Sequence, residues 1–373
     1  MRRINKAIFA SATALGLVVV PAAGSALAEP DTSAQGGGDI IQLPVTFEVE
    51  NVNRSAVQCN TDGETYEVAG HLTAPADAFR GRPRDLTVTM YQHGIAGGEW
   101  YWNMDMEGYN HVEEMAERGH ISVSIDRLGY DDSGVPNGYD TCIGAQADVT
   151  NQIVEQLREG DYELDRSVDR GAIPGRHIPE FDKVVLAGQS NGGLIVNIAA
   201  ISFGNVDGLS VHGWGDLGFT PEADERFIAA TGGCLQRMSP AMEDPRPELP
   251  EGYNYYDNGT EEFLTGNFAD ATPEMLEAVT PLQNAHPCND MSTITSAIYV
   301  DLMRMDEIDV PVQIVFGEED ARIQDVQLQA DLYSGSPDVR TLVVPDAGHY
   351  MGLERNAETV FEDMDAWLTE SIG

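Results

Sequence analysis

A serine, an acid and a histidine, met in that order, carry the chemistry that stands out in this chain. Gly188-Gln189-Ser190-Asn191-Gly192 fits the pattern G-x-S-x-G. A serine hydroxyl is a weak nucleophile until a base takes its proton. His349, directly after Gly348, is the candidate base; His71, His111, His120, His177, His212 and His286 lack a comparable setting. Asp320, closing Gly317-Glu318-Glu319-Asp320, is the candidate acid, which would accept the imidazole N–H and hold the ring in one tautomer. Glu318 and Glu319 are its rivals by position, and Asp216, just after Trp214, is the runner-up. Such a set performs acyl transfer through a covalent serine ester.

Three separate chain segments must bring these groups together. Residues 183–187 are a short Val-rich run that reads as a buried strand, and 193–200 read as a helix behind the serine. Residues 312–316 and 341–344 are further apolar runs, one leading to Asp320 and the other to His349. Each candidate therefore sits just past the C-terminal end of an expected strand, where parallel sheets gather their reactive groups. Upstream, strands are expected at 65–73, 86–92 and 121–125, and helices at 109–118 and 145–159, stopped by Gly119 and Gly160. Residues 209–214 read as one more strand. The alternation predicts an α/β fold with a mostly parallel central sheet and helices on both faces.

Five pieces in one order extend the argument: Gln92-His93-Gly94-Ile95, Asp126-Arg127-Leu128-Gly129-Tyr130, the stretch around Ser190, Gly317 to Asp320, and Gly348-His349. With them the chain resembles the α/β-hydrolase fold enzymes of esterase and lipase type, from about residue 65 to the C-terminus. The resemblance implies Ser190 as nucleophile, His349 as general base and Asp320 as acid, in the chain order of that family. It implies an oxyanion hole built from the backbone N–H groups of Asn191 and Ile95, with His93 orienting the loop. Substrate-pocket candidates are His93, Trp100 and Trp102, although the two tryptophans fit packing beneath the sheet equally well. The serine at the turn sets the chain apart from relatives with an aspartate nucleophile, such as haloalkane dehalogenases and epoxide hydrolases. No nucleotide or metal-ligand motif is present, so no cofactor and no metal are expected. The expected organisation is a signal peptide at 1–28, a flexible N-terminal segment and lead-in at 29–64, a first core portion at 65–216, a cap at 217–305 and a second core portion at 306–373. The cap segment is rich in Pro, Glu, Asp, Asn and Tyr and interrupts the recognisable pattern. The expected activity is cleavage of a small-molecule or lipid-like carboxylic ester. Amide cleavage, acyl transfer to an alcohol, or a binding protein that has lost catalysis are the alternatives on the same fold.

Residues 1–28 carry Arg2, Arg3 and Lys6, then an apolar run, then Ala26-Leu27-Ala28, the marks of a secretory signal peptide removed on export. The mature chain is thus expected outside the cell, without a stable membrane anchor. Cys59, Cys142, Cys234 and Cys288 then form an even set suited to two disulfides, and pairing within each region joins Cys59 to Cys142 and Cys234 to Cys288. Spacings of the C-x-x-C kind are absent.

The 62 acidic residues outnumber the 21 Lys and Arg, for a net charge of −41. Such a surface repels nucleic acid and anionic lipid. It also points to a salt-rich setting, because self-repulsion opposes compactness until ions screen it. The Debye length is about 30 Å at 0.01 M salt and about 3 Å at 1 M. The melting temperature is therefore expected to rise between 0.01 M and molar NaCl in a thermal scan. A melting temperature that stays level or falls over that range removes the salt-adaptation reading.

Overall fold

Five strands of the chain bury nearly every side chain they carry, and this sets the architecture. The structure is a computed structural model that describes residues 40–80, 85–167, 178–236 and 249–373. The signal-peptide reading of 1–28, the flexible stretch before residue 39 and His177 lie outside the described residues. In chain order the elements are β1 (Ile40–Glu50), β2 (Thr65–Pro75), β3 (Thr87–Gln92), α1 (His111–Glu117), β4 (Ile121–Ile125), α2 (Ile143–Glu159), β5 (Glu163–Leu164), β6 (Lys183–Gln189), α3 (Asn191–Phe203) and β7 (Gly208–His212). There follow α4 (Pro221–Gln236), β8 (Tyr253–Tyr255), α5 (Thr260–Asn267), α6 (Pro273–Val279), β9 (Ala285–Pro287), α7 (Cys288–Arg304), β10 (Val312–Gly317), α8 (Val326–Ala330), β11 (Val339–Val344) and α9 (Ala357–Trp367).

One nine-stranded sheet runs in the order β11-β10-β7-β6-β3-β4-β2-β1-β5. From β11 to β4 every neighbouring pair is parallel. Strands β4, β7 and β10 are buried at every residue, and β3 and β6 at all but the first. Continuous burial without alternation is what a parallel sheet covered on both faces demands. The covering layers are α2 packed on α3, and α1 packed on α9. The expected mostly parallel α/β sheet is thus present, with the strands and helices expected at 65–73, 86–92, 109–118, 121–125, 145–159 and 183–200 in place within a few residues at their ends.

Register aligns the carboxyl ends. Gln92 lies opposite Ile125 and Gly188, Gln189 opposite His212, His212 opposite Val315, and Gly317 opposite Val344. The loops after β3, β6, β7, β10 and β11 therefore emerge side by side. At the other end of β6, the Lys183 ammonium donates to the carbonyl oxygens of Ile372 and Gly373.

Residues 40–50 fall in the stretch expected to lead into the core, where no strand is expected from the sequence. They form the long strand β1, antiparallel to β2 from Ile40 opposite Pro75 to Glu50 opposite Thr65. Ile41, Leu43, Val45, Phe47 and Val49 are buried and the residues between them are not. That period of two is the pattern of a sheet with one buried face.

The segment between β7 and β10 holds α4 to α7 and the short antiparallel ribbon of β8 and β9. Helices α4 and α7 pack together and are joined by Cys234–Cys288. Cys59–Cys142 ties the loop after β1 to the start of α2. Among the described residues no helix is long and apolar enough to cross a membrane. The bridges close loops of 83 and 54 residues. On the chain-entropy account each stabilises the fold by about 4–5 kcal/mol. Reduction, or Cys→Ser at either pair, should therefore lower the denaturant midpoint markedly. An unchanged midpoint would show that the bridges add nothing.

Candidate active site

Ser190 sits at the turn from β6 into α3, with φ 54° and ψ −128°. A non-glycine residue held there costs about 1–3 kcal/mol, so the surroundings must impose it. The Ser190 N–H donates to His212 O at 2.8 Å, and its carbonyl accepts from Gly193 N–H at 2.8 Å. The turn is so tight that a Cβ on Gly188 would run into the carbonyl of Gly192. These contacts consume the backbone of Ser190 and leave its hydroxyl at the wall of a cavity of about 170 Å³.

His349 follows β11 and lines the same cavity. Its Nδ1 lies 2.9 Å from Asp320 Oδ2. A carboxylate only accepts, so in the neutral ring this contact puts the proton on Nδ1 and the lone pair on Nε2. Nε2 is buried and has no hydrogen-bond partner. Asp320, 3% exposed, is fixed in turn by backbone N–H groups of Arg322 and Ile323, which donate to Oδ1 at 2.8 and 3.2 Å. Gly317 permits this meeting, since a Cβ there would collide with the carbonyls of Ala347 and Gly348. Glu318 and Glu319, the rivals by position, are exposed. Asp216 makes no hydrogen bond to His349. It accepts from Trp214 Nε1 at 3.2 Å and Gln329 Nε2 at 2.9 Å, and burial pushes it up to about 6.

Sequence reasoning missed the groups that hold the histidine loop. Glu354, 1% exposed, accepts from Gly348 N–H at 3.0 Å, Ala269 N–H at 2.6 Å and Asp270 N–H at 3.0 Å. Gln189 Nε2 donates to His349 O at 3.2 Å. Nothing in a run of surface-type acids marks Glu354 out.

Ile95 and Asn191 line the cavity beside Ser190. Neither backbone N–H donates to an acceptor among the described residues. Beneath them lies Arg127, whose side chain is fully buried and paired with Asp290 at 3.4 Å. Its Nη2 reaches Gly94 O at 3.4 Å, Asn191 Oδ1 at 3.3 Å and Tyr130 Oη at 2.9 Å. The sequence drew attention to the stretch around Arg127 without giving this residue a task.

The three expected pocket residues lie elsewhere. His93 is buried behind the loop, its Nδ1 on Gly94 O at 2.8 Å and its Nε2 accepting from Arg127 N–H at 3.0 Å, so it orients the loop and does not line the cavity. Glu99 N–H donates to Asp126 Oδ1 at 2.7 Å, and the short helical turn that follows swings both tryptophans away. Trp102, 1% exposed, packs among Tyr91, Tyr101, His111 and His212. Trp100 faces a separate recess lined by Glu99, Asp126, Asp131 and Asp132. The aromatic cavity wall is instead Trp214, Phe219, Phe227, Tyr256 and Tyr350. Among the described residues no group of three or more His, Cys, Asp or Glu is placed to hold a metal ion. Chemically, the arrangement sets an unpartnered imidazole nitrogen and two unused backbone N–H groups at the cavity that Ser190 lines, the groups that serine acyl transfer calls for.

Residues 93–362 match the model of the alpha/beta hydrolase family. Among solved structures, a thermophilic esterase from Thermogutta terrifontis is similar with a TM-score of 0.57 at 18% identity, over 87% of this chain and 99% of that one. A monoacylglycerol lipase from Paleococcus ferrophilus gives 0.53 at 15%, over 76% and 94%. A peroxisomal alpha-beta-hydrolase from Saccharomyces cerevisiae gives 0.54 at 13%, over 89% of each. At these identities the likeness is one of fold. No curated protein matches the sequence.

The aromatic packing behind the site has a pH consequence. His111 is 1% exposed among Tyr91, Trp102 and Phe361, and both its nitrogens lack partners. Burial, helped by His212 and Arg118, drives its pKa well below the usual histidine value. The folded state thus excludes a proton that the unfolded chain binds below about pH 6.5. The stability is present above that value and is lost as pH falls, by about 1.4 kcal/mol per pH unit for one such group. His111→Phe should flatten the fall in unfolding free energy between pH 6 and pH 5 by about that amount. An unaltered acid slope would show that His111 takes up its proton while folded.

Proposed function

The chain belongs to the alpha/beta hydrolase family, and from that premise we propose that it is an exported serine hydrolase that cleaves a carboxylic ester through an acyl-enzyme. The observation that carries the reading is the Asp320–His349 hydrogen bond, which leaves a lone pair on Nε2 in the cavity that Ser190 also lines. His349 Nε2 takes the Ser190 proton as Oγ attacks the ester carbonyl. The oxyanion is held by the N–H groups of Ile95 and Asn191. Collapse of the tetrahedral species expels the alcohol, which leaves with the proton from His349. Water then attacks the acyl-serine, giving its proton to His349, and the acid departs as that proton returns to Ser190. Asp320 steadies the imidazolium throughout.

Residues 217–305 act as the cap in this reading. Phe219, Ala223, Phe227, Tyr256, Ile294 and Ile298 of that segment face the cavity, which supports an apolar acyl or alcohol group, as in a small-molecule or lipid-like ester. Export is supported by the two disulfides, and an ion-rich surrounding by the net charge of −41.

A fluorophosphonate probe tests the nucleophile: the protein should label once, and Ser190→Ala should not label at all. Ser190→Ala and His349→Ala should each lower kcat by about 10⁵-fold or more, and the double variant should be little worse, because the groups act as a unit. Asp320→Asn should cost about 10⁴-fold, by favouring the wrong histidine tautomer, while Asp216→Asn should remain far more active than Asp320→Asn. A folded Ser190→Ala protein with near-normal ester turnover would overturn the reading, and a dead Asp216→Asn beside an active Asp320→Asn would move the acid.

A further inference from the structure

Among the described residues that line the cavity, Arg322 alone carries a permanent positive charge. Its neighbours there are otherwise mainly aromatic and aliphatic. The residue is 9% exposed. Nη2 donates to Asp257 Oδ1 at 2.9 Å and to Asn267 Oδ1 at 3.4 Å, and the guanidinium carbon lies 4.9 Å from the centre of the Tyr256 ring. Gly266 makes room for this placement, since a Cβ there would lie 2.6 Å from Nη2.

A guanidinium has five N–H donors. The two on Nη2 are accounted for. Nε and Nη1 make no further side-chain hydrogen bond of ordinary geometry to the described residues, and the Tyr256 phenol is the other polar group that interacts with the guanidinium. Tyr256 and Asn267, which flank the guanidinium, also line the cavity, so the unused donors have the cavity to face. Charged donors at the edge of an apolar space need an acceptor, which water supplies in the empty cavity and a ligand group can supply once water is displaced. A carboxylate is the strongest such acceptor, through short charge-assisted bonds. Asp257, 1% exposed behind Arg322, keeps the cation in place when the cavity is empty.

We propose that Arg322 is a specificity-determining residue that receives a second, non-scissile carboxylate of the substrate. The preferred substrates are then half-esters of dicarboxylic acids, or esters of hydroxy acids, with an apolar spacer lying on the aromatic wall. The inference rests on the ester-hydrolase reading above and narrows it to a substrate class. It also accounts for a feature that reading leaves idle: a buried arginine two residues beyond Asp320, with its backbone on the acid and its side chain in the cavity.

The test compares matched esters at molar NaCl, where the long-range repulsion of an anion by this acidic chain is screened while a buried pair is screened far less. Mono-p-nitrophenyl esters of dicarboxylic acids of graded length are set against p-nitrophenyl alkanoates of the same length. Esters of hydroxy acids are set against esters of the corresponding alcohols. In at least one pair the carboxylate-bearing ester should have the higher kcat/KM, by about tenfold or more. Arg322→Gln should abolish that preference and Arg322→Lys should keep part of it. Because Arg322→Gln strands Asp257 without a counter-charge, Arg322→Gln/Asp257→Asn is measured beside it and should lose the preference as well. Absence of any preference in the wild-type protein overturns the proposal, as does a preference that survives in a folded Arg322→Gln or double variant. A neutral methyl diester that matches the half-ester also overturns it. In each of these cases hydrolysis of the neutral esters and fluorophosphonate labelling persist, whereas failure of the hydrolase reading itself removes both.

Discussion

The backbone of Ser190 is the constraint around which the rest of the structure is arranged. Its positive φ is unfavourable for any side chain, and it survives because neighbours on three sides hold it. His212, at the end of β7, accepts its N–H; Gly193, in the first turn of α3, donates to its carbonyl; Gly188 and Gly192 vacate the space the turn needs. Those neighbours are in place only because β6 and β7 are in parallel register and buried on both faces. The strain at one residue is thus supported by the packing of the whole sheet. It turns the proposed nucleophile outward while its main chain is fully engaged.

Around this turn, the chain places its scarce cations with care. It has 21 Lys and Arg against 62 acids, yet two of its arginines lie deep in the site, each against a buried aspartate. Arg127 with Asp290 stands under the proposed oxyanion donors and touches Gly94 O and Asn191 Oδ1. Arg322 with Asp257 stands at the cavity wall. Removing one partner of such a pair strands the other charge, so the two members of each pair are bound to one another even where the pair adds little net stability. Asp290 also belongs to α7, which begins at the bridged Cys288, so the proposed cap segment is anchored to the loop that holds the proposed oxyanion donors.

Much of this was legible in the residues. The buried strand runs before Ser190, Asp320 and His349 announce themselves by unbroken apolar composition, and glycines mark the turns that follow. What could not be read was anything decided by distance through space. Asp320 differs from Glu318 and Glu319 only because the turn closed by its N–H on Gly317 O carries it inward while its neighbours stay exposed. Trp100 and Trp102 sit close to the oxyanion loop in sequence but are turned off the cavity by a hydrogen bond from Glu99 to Asp126. Glu354, Arg127 and Arg322 gain their places from partners far along the chain. The strand at 40–50 is a different case, since its alternation is plain in the sequence and was masked only by the polar stretch before it.

Lys183 stands at the opening of β6, and Ser190 follows the other end of the same strand. Lysine is found at only one other place in the sequence, Lys6. Seven residues of extended chain span roughly 23 Å, so the single side-chain amine of the described protein lies at the opposite end of the sheet from the cavity mouth. A tether placed on the Lys183 side chain would therefore attach at the end of the sheet away from Ser190. Such a singular handle exists because the chain draws its positive charge almost wholly from arginine.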